Sequence, residues 1–305
     1  MEGFLIIDKP KGLTSHDVVE KVRRKFKVKA GHLGTLDPLA TGVLPIAIGK
    51  ATKLTSFFIG EDKEYEGEMV LGFATDTYDV EGRVIRRTQR LTVDVDKLKK
   101  ILEEFKGEIE QIPPLYSALK VKGKRLYEWA RQGVEVERKP RKVKIFALKL
   151  LNISLPYVKF YVHCSGGTYI RTLVNDIGEK LGCFATLKEL KRIRSGPFHL
   201  KHALPLSVIE EANSILPLLR RMEEFLDRFK NVKVKEEFEE KVLHGTPVYK
   251  NVLLSYPEEV KRGEMVKIVD GKGKVLCIAE SRFDGREIEN KAENNIIFQP
   301  RKVLR

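Results

Sequence analysis

A chain of 305 residues with 42% hydrophobic content can bury one large core and a smaller second one. Lys and Arg number 57 against 43 Asp and Glu, and the net charge of +14 favours a polyanion such as nucleic acid over an acidic metabolite as partner. The cysteines Cys164, Cys183 and Cys277 are widely spaced and odd in number, so neither a disulfide framework nor a paired-cysteine zinc site can be read, and a reducing cytoplasm is expected.

Near the N-terminus the apolar run Phe4 to Ile7 ends in Asp8-Lys9-Pro10 and is too short for a signal peptide or a membrane span, which predicts a soluble, untargeted protein. Gly12 to Phe26 reads as a turn and then a helix. Thr14 and Asp17 are spaced as a capping box, and Val18, Val19, Val22 and Phe26 form one apolar face. Strand patterns cover Tyr65 to Phe73, Val143 to Ser154 and Tyr157 to Cys164, the last two meeting at a turn near Leu155-Pro156. A second helix is expected from Val93 to Phe105. A third follows Thr168 as N-cap, with Ile170, Leu173, Val174, Ile177 and Leu181 inward and Gly182 as its stop. A helical stretch near Ile215 to Phe229 precedes a boundary near Asn231. Beyond it come short strands such as Met265 to Asp270 and Val275 to Ser281 around Gly271-Lys272-Gly273. Helices and strands alternate without a regular repeat, which argues for a mixed α/β chain and against a solenoid or a four-helix bundle.

Residues 232 to 305 are nearly balanced in charge, so almost all of the +14 belongs to the first 231. It clusters at residues 21 to 29, at Lys120 to Lys149, and at Lys188, Lys191, Arg192 and Arg194. In the second cluster Tyr127 and Trp129 are interleaved with Lys122, Lys124, Arg125 and Arg131, the pattern of a surface that meets phosphates and bases.

Several familiar chemistries are excluded. Gly49-Lys50 lacks the Ser or Thr after the lysine that a P-loop needs, and Leu44 stands where its first glycine belongs. Neither HExxH nor GxSxG occurs, and His163 and Cys164, adjacent in a strand, point to opposite faces. The unusual segment is Gly31-His-Leu-Gly-Thr-Leu-Asp-Pro-Leu-Ala-Thr-Gly42, whose only ionisable groups are His32 and Asp37. Leu36, Pro38, Leu39 and Val43 surround Asp37, and a carboxylate so placed needs a cationic partner to stay ionised. Arg171 is a candidate, because a cation in the first turn of a helix is disfavoured by the helix dipole unless a carboxylate lies near.

Together GHLGTLDPLATGVLPIAIGKATK, the preceding DKPKGLTSHDVV, the later SGGTYIRTLVNDIGEKLG and QIPPLYSALKVKGKRLYEWARQG closely resemble the bacterial TruB family over about residues 3 to 200. The resemblance implies the α+β class and a pseudouridine synthase fold, with a mixed, mainly antiparallel central sheet flanked by helices over residues 1–231 and a thumb-like insertion near 114–142. Residues 232–305 resemble a β-rich PUA RNA-binding domain. The implied activity is isomerisation of uridine 55 in the T loop of tRNA after base flipping, with neither metal nor cofactor. The implied catalytic residues are Asp37, Tyr65 and Arg171. His32, Tyr65, Tyr169, Leu190 and Lys9 would bind substrate, with Tyr65 stacked on the target base and Lys9 supporting the site from its edge. Gly166 departs from the pattern, since related chains often carry Lys there. A monomer that binds the T arm through the catalytic domain and the acceptor region through the C-terminal domain, without an obligate protein partner, follows from the same resemblance. Two rivals share these features: a guide-dependent synthase within a ribonucleoprotein, and a non-catalytic RNA-binding protein.

Overall fold

The computed structural model describes residues 1–117, 119–134 and 136–305. In chain order the main elements of its larger part are β1 (Gly3–Lys9), α1 (Ser15–Phe26), β2 (Thr41–Ile48), β3 (Lys63–Leu71), α2 (Val95–Glu104), β4 (Gly107–Gln111), α3 (Leu126–Arg131), β5 (Arg141–Ser154), β6 (Tyr157–Cys164), α4 (Ile170–Leu181) and β7 (Ala185–Ser195). Side by side in one ten-stranded sheet the long strands run β1, β2, β7, β3, β6, β5, β4. Every neighbouring pair in that series is antiparallel except β2 and β7, which run parallel at Thr41–Lys191 and Gly42–Arg192. The sheet is thus mixed and mainly antiparallel, as expected.

Alternation explains the strands. In β6 Val158, Phe160, Val162 and Cys164 are buried while Tyr157, Lys159, Tyr161 and His163 lie on the other face, so His163 and Cys164 do diverge. The buried face is covered by α2, through Leu98, Ile101 and Leu102, and by α4, through Leu173, Val174 and Ile177. Each such side chain removed from water contributes about 1.5–3 kcal/mol. The expected capping box starts α1: the Thr14 N–H donates to Asp17 Oδ2 at 2.9 Å, and the Asp17 N–H to Thr14 Oγ1 at 3.0 Å.

On the reverse side Phe4 meets the rings of Phe58 and Phe198 edge-on, each at 5.3 Å between centroids. Val269, Val275, Ile278 and Leu304 join this second cluster, which binds the C-terminal module to the back of β1 and β2. That module is a six-stranded sheet containing β8 (Lys230–Val234), β9 (Met265–Val269), β10 (Val275–Ser281) and β11 (Ile296–Val303). The expected boundary at Asn231 falls inside β8. Among the described residues no helix is long and apolar enough to cross a membrane.

Three expectations fail for physical reasons. No helix spans Ile215 to Phe229; only single turns occur at Leu216–Leu218 and Met222–Phe225. Pro217 has no N–H to give a helix, and Arg220 instead exchanges backbone hydrogen bonds with Phe4, both at 2.8 Å. The strand expected to reach Phe73 leaves the main sheet at Gly72, whose φ is 110°, and Phe73–Thr75 pairs with Val84–Arg87 instead. Thr168 does not cap α4; its hydroxyl donates to Ser165 O at 2.9 Å, and Tyr169 is the N-cap without a side-chain cap of its own.

The parallel β2–β7 contact depends on Gly42. Its φ is 98°, and a Cβ there would lie 2.2 Å from the Arg192 carbonyl oxygen. Gly42→Ala is expected to cost about 2–5 kcal/mol through backbone strain and overpacking, read as a lower denaturant midpoint. An unchanged midpoint would mean that the two strands can part freely.

Candidate active site

The loop between the short strand Ala30–His32 and β2 is held from beneath. Arg192, fully buried on β7, donates from Nε to Val43 O at 2.8 Å, from Nη1 to Thr35 O at 3.2 Å and from Nη2 to Gly34 O at 3.0 Å. The Ser15 hydroxyl accepts the Leu36 N–H at 2.7 Å and donates to Leu36 O at 3.0 Å. Lys9 donates from Nζ to Pro10 O at 2.9 Å, Leu13 O at 2.6 Å and Pro38 O at 3.3 Å. Buried cations are tolerable only when their donors are spent in this way. Burial nevertheless brings the Lys9 ammonium down to about 8, against the opposing pull of Asp37. With no exposed surface, Lys9 underlies the loop instead of reaching a substrate from the site's edge.

Tying the loop carbonyls inward leaves the Asp37 side chain partly open to solvent, 39% exposed. Arg171, the second residue of α4, reaches it with Nε 3.0 Å from Asp37 Oδ2. The contact is an ion pair more than a directed hydrogen bond, since the Nε hydrogen has no aligned acceptor. The rest of the guanidinium is engaged: Nη1 donates to Thr77 O at 3.3 Å and to Asp79 Oδ2 at 3.4 Å, and Nη2 to Tyr116 O at 3.0 Å. Asp79 is buried and accepts the Thr77 hydroxyl at 2.7 Å and the Glu81 N–H at 3.1 Å. Arg171 therefore lies between two carboxylates.

Depth in the protein pushes the Asp37 carboxyl above its usual range; Arg171 is the main counterweight, Asp79 pushes the same way as burial, and Lys9 and Arg192 pull back. Depth and exposure disagree here. The side chain's open face admits water, so the exposed fraction limits the size of the effect and leaves its upward direction intact.

The main sheet sets the remaining positions. In the β3–β7 ladder Tyr65 lies opposite Arg192 and Gly67 opposite Leu190, which puts Tyr65, Leu190 and Arg192 on one face. Tyr65 is nearly buried, with its hydroxyl against Arg192, and burial pushes the phenol up to about 12. Half-buried His32 has its imidazole held below the usual range, first by burial and then by Arg192, so the neutral ring dominates at pH 7. Tyr169, half-buried at the start of α4, is gripped by the Gln111 side chain. Gln111 Oε1 accepts the Tyr169 N–H at 3.0 Å and Nε2 donates to Tyr169 O at 3.2 Å. Asp37, Arg171, Tyr65 and His32 thus share one electrostatic environment with Arg192.

Arg192, Asp79 and Gln111 were not singled out as site residues from sequence. For Arg192 a signal existed, as it sits two residues after Leu190 in a strand and so on the same, inward face. The expected basic surface at 188 to 194 is therefore wrong: Arg192 is buried, Lys188 pairs with Glu68 at 2.5 Å, and Arg194 pairs with Asp62 at 2.7 Å and Glu64 at 2.5 Å. The cluster at 21 to 29 is also partly neutralised, Lys21 by Glu210 at 2.7 Å and Arg23 by Glu20 at 2.6 Å. Between β4 and β5 the charge stands on aromatic supports. The Lys124 ammonium lies 4.7 Å from the Trp129 ring centroid, and Arg125 and Arg131 lie 5.8 Å and 5.5 Å from that of Tyr127. At Gly166 a Cβ would be 2.6 Å from the Gly60 carbonyl oxygen, so this backbone contact favours glycine over any larger residue.

Comparison with known proteins places this geometry. The model for TruB family pseudouridylate synthases (N terminal domain) matches residues 21–170, that for the tRNA pseudouridylate synthase B C-terminal domain residues 171–229, and the PUA domain model residues 230–297. A protein from Clostridium kluyveri named tRNA pseudouridine synthase B is 46% identical over 256 residues, covering 84% of this chain and 88% of that protein. One of the same name from Alkaliphilus oremlandii is 44% identical over 297 residues, covering 97% and 95%. Among solved structures, a chain of a Cbf5-Nop10-Gar1 complex superposes with a TM-score of 0.76 at 30% identity, covering 99% of this chain and 85% of that one.

Because Asp79 competes for Arg171 and adds negative charge near Asp37, Asp79→Asn is expected to lower the Asp37 pKa, followed by carbon NMR of labelled aspartate. The variant should also lose about 1–3 kcal/mol of stability as a buried charge-assisted bond goes. An Asp37 pKa that stays or rises would show that the two carboxylates do not share the guanidinium.

Proposed function

The chain belongs to the TruB family of pseudouridylate synthases, and from that premise we propose a stand-alone enzyme that isomerises uridine 55 in the T loop of tRNA with Asp37 as its catalytic carboxylate. The fold is the family's mixed α+β architecture with a C-terminal PUA domain. The reading rests most on one observation, the partly exposed Asp37 carboxylate held 3.0 Å from the Arg171 guanidinium.

The chemistry asks for little more. The N1–C1′ bond breaks, the uracil turns, C5 joins C1′, and the proton on C5 is lost while N1 gains one, so the product is an isomer with no net redox change. A carboxylate must attack or stabilise the ribosyl centre, and a pocket must hold the free base while it turns. Arg171 is the neighbour that most favours the ionised form of Asp37, against the burial that raises its pKa. Flipping the nucleotide costs a few kcal/mol, which stacking on aromatic rings offsets by about 1–3 kcal/mol per base; Tyr65 and neutral His32 serve here. Leu190 and Tyr169 wall the uracil, while Lys9 acts indirectly by fixing the loop.

Residues 1–231 then form the catalytic domain, the segment near 114–142 a thumb that closes over the T arm with its aromatic-backed cations, and residues 232–305 the contact for the acceptor region. The protein works in the cytoplasm as a monomer with neither cofactor nor protein partner. A guide-dependent reading has some support, because an H/ACA RNP bound to a substrate RNA contains a chain of the same fold at 27% identity and a TM-score of 0.76. The relatives named tRNA pseudouridine synthase B, one of them 46% identical over 256 residues, weigh more.

Purified protein incubated with an unmodified T-arm transcript should form pseudouridine at position 55 without added RNA or protein. Asp37→Asn should bind the same transcript while losing on the order of 10⁴-fold or more in rate. Absence of product would favour the guide-dependent reading, and an active Asp37→Asn would remove the carboxylate mechanism.

Tyr65 separates two further roles. A phenol held at about 12 is almost wholly protonated at neutral pH, and Arg192 is the neighbour that favours its ionised form. Tyr65→Phe keeps the ring, so stacking alone predicts turnover within about 10-fold of wild type, whereas removal of the C5 proton by Tyr65 predicts a loss of about 10²–10⁴.

A further inference from the structure

The segment between β4 and β5 leaves the sheet after Gln111 and returns at Arg141, and these two residues are register partners. Gln111 therefore stands at the neck of the basic excursion. Its side chain, only 1% exposed, makes no hydrogen bond to the excursion among the described residues and spends both amide atoms on the backbone of Tyr169. Chemistry fixes the amide's orientation, because Tyr169 N–H can only donate and Tyr169 C=O can only accept. Helix α4 has no cap from its own residues, and the Thr168 hydroxyl that could have served is spent on Ser165. The tie from β4 thus fixes the start of the helix that carries Arg171.

A second tie crosses the same junction, where Arg171 donates to the carbonyl of Tyr116 on the excursion. Around these two contacts the packing is incompletely satisfied. Among the described residues, the buried side-chain polar atoms without a hydrogen-bond partner are His32 Nδ1, Ser117 Oγ, Arg171 Nε and Thr172 Oγ1, two of them in the first turn of α4 and one at the root of the excursion. In such surroundings a side chain bonded at both ends determines where the turn sits.

We infer that Gln111 is a positioning residue for the reaction: by holding both main-chain polar groups of Tyr169 at the neck of the excursion, it sets the Tyr169 wall of the pocket and the placement of Arg171 beside Asp37. The inference rests on the function proposed above. Gln111 touches neither substrate nor the reacting atoms, and its effect passes through backbone geometry, where a displacement of about 1 Å can cost on the order of 10²-fold in rate.

The test uses full-length protein and T-arm RNA, with single-turnover rate and Kd measured separately. Gln111→Leu removes both bonds, and its rate at saturating RNA should fall roughly 10- to 100-fold with Kd changed less than about 3-fold. Gln111→Glu supplies a readout that a packing role would not move. Protonated, its carboxyl accepts from Tyr169 N–H and donates to Tyr169 O; ionised, it loses the donor and sets a negative charge against that carbonyl. Burial raises the pKa of the introduced carboxyl, so its rate relative to wild type should climb as pH falls from 8 towards 5, while the Leu ratio stays flat. Should Gln111→Leu fail to fold, the Glu series carries the test alone. Wild-type rates in both variants, a loss confined to Kd, or a Glu ratio independent of pH would overturn the inference. Wild-type protein that makes no pseudouridine would overturn the proposed function together with it.

Discussion

Arg171 between Asp37 and Asp79 is the constraint on which the site depends. A guanidinium so nearly buried needs partners for its charge, and here they come from three places distant in sequence: an ion pair with the Asp37 loop, and hydrogen bonds to the turn at Thr77 to Asp79 and to Tyr116 on the basic excursion. One side chain thus fixes the distance between the carboxylate and the excursion, and a shift in either is felt by the other. The cation also answers an electrostatic need, since Asp37 would otherwise meet burial and the Asp79 charge acting in the same direction.

Beneath that pair a second layer does structural work with charge. Arg192 and Lys9 are both fully buried, and both direct their donors at loop carbonyls. An apolar residue of similar volume would fill the same space, yet it would leave those carbonyls turned inward without partners, at a cost of about 1–3 kcal/mol each. The loop is therefore rigid by virtue of its floor, and Asp37 is presented by backbone that has little freedom to withdraw. Tyr65 shares that floor, because its hydroxyl lies against the same Arg192.

What could be read from sequence divides by the range of the interaction. The start of α1 was legible because Thr14 and Asp17 satisfy each other across three residues, and β6 because its alternation is local. Asp37 and Arg171 were legible as a pair because each alone was anomalous, one carboxylate among apolar neighbours and one cation in a first turn. The start of α4 was misread because its cap comes from Gln111, far off in sequence, which no local pattern records. The stretch at Ile215 to Phe229 was misread for the same reason, its backbone being claimed by Phe4. Counting cations at 188 to 194 treated strand residues as if all faced one way, whereas alternation buries Arg192 and acidic neighbours on β3 and nearby engage Lys188 and Arg194.

That redistribution of charge changes what the net +14 means. Ion pairs across the sheet cancel bases against acids and leave the surplus unchanged, while Arg192 and Lys9 are caged by carbonyls under the loop and offer a partner no direct contact. The cations that stand on Trp129 and Tyr127 have aromatic faces beneath them and lie on the segment rooted at Tyr116. A polyanion drawn to that segment is drawn to the part of the molecule whose root touches Arg171, so the steering field and the Asp37–Arg171 pair are joined by a hydrogen bond of 3.0 Å.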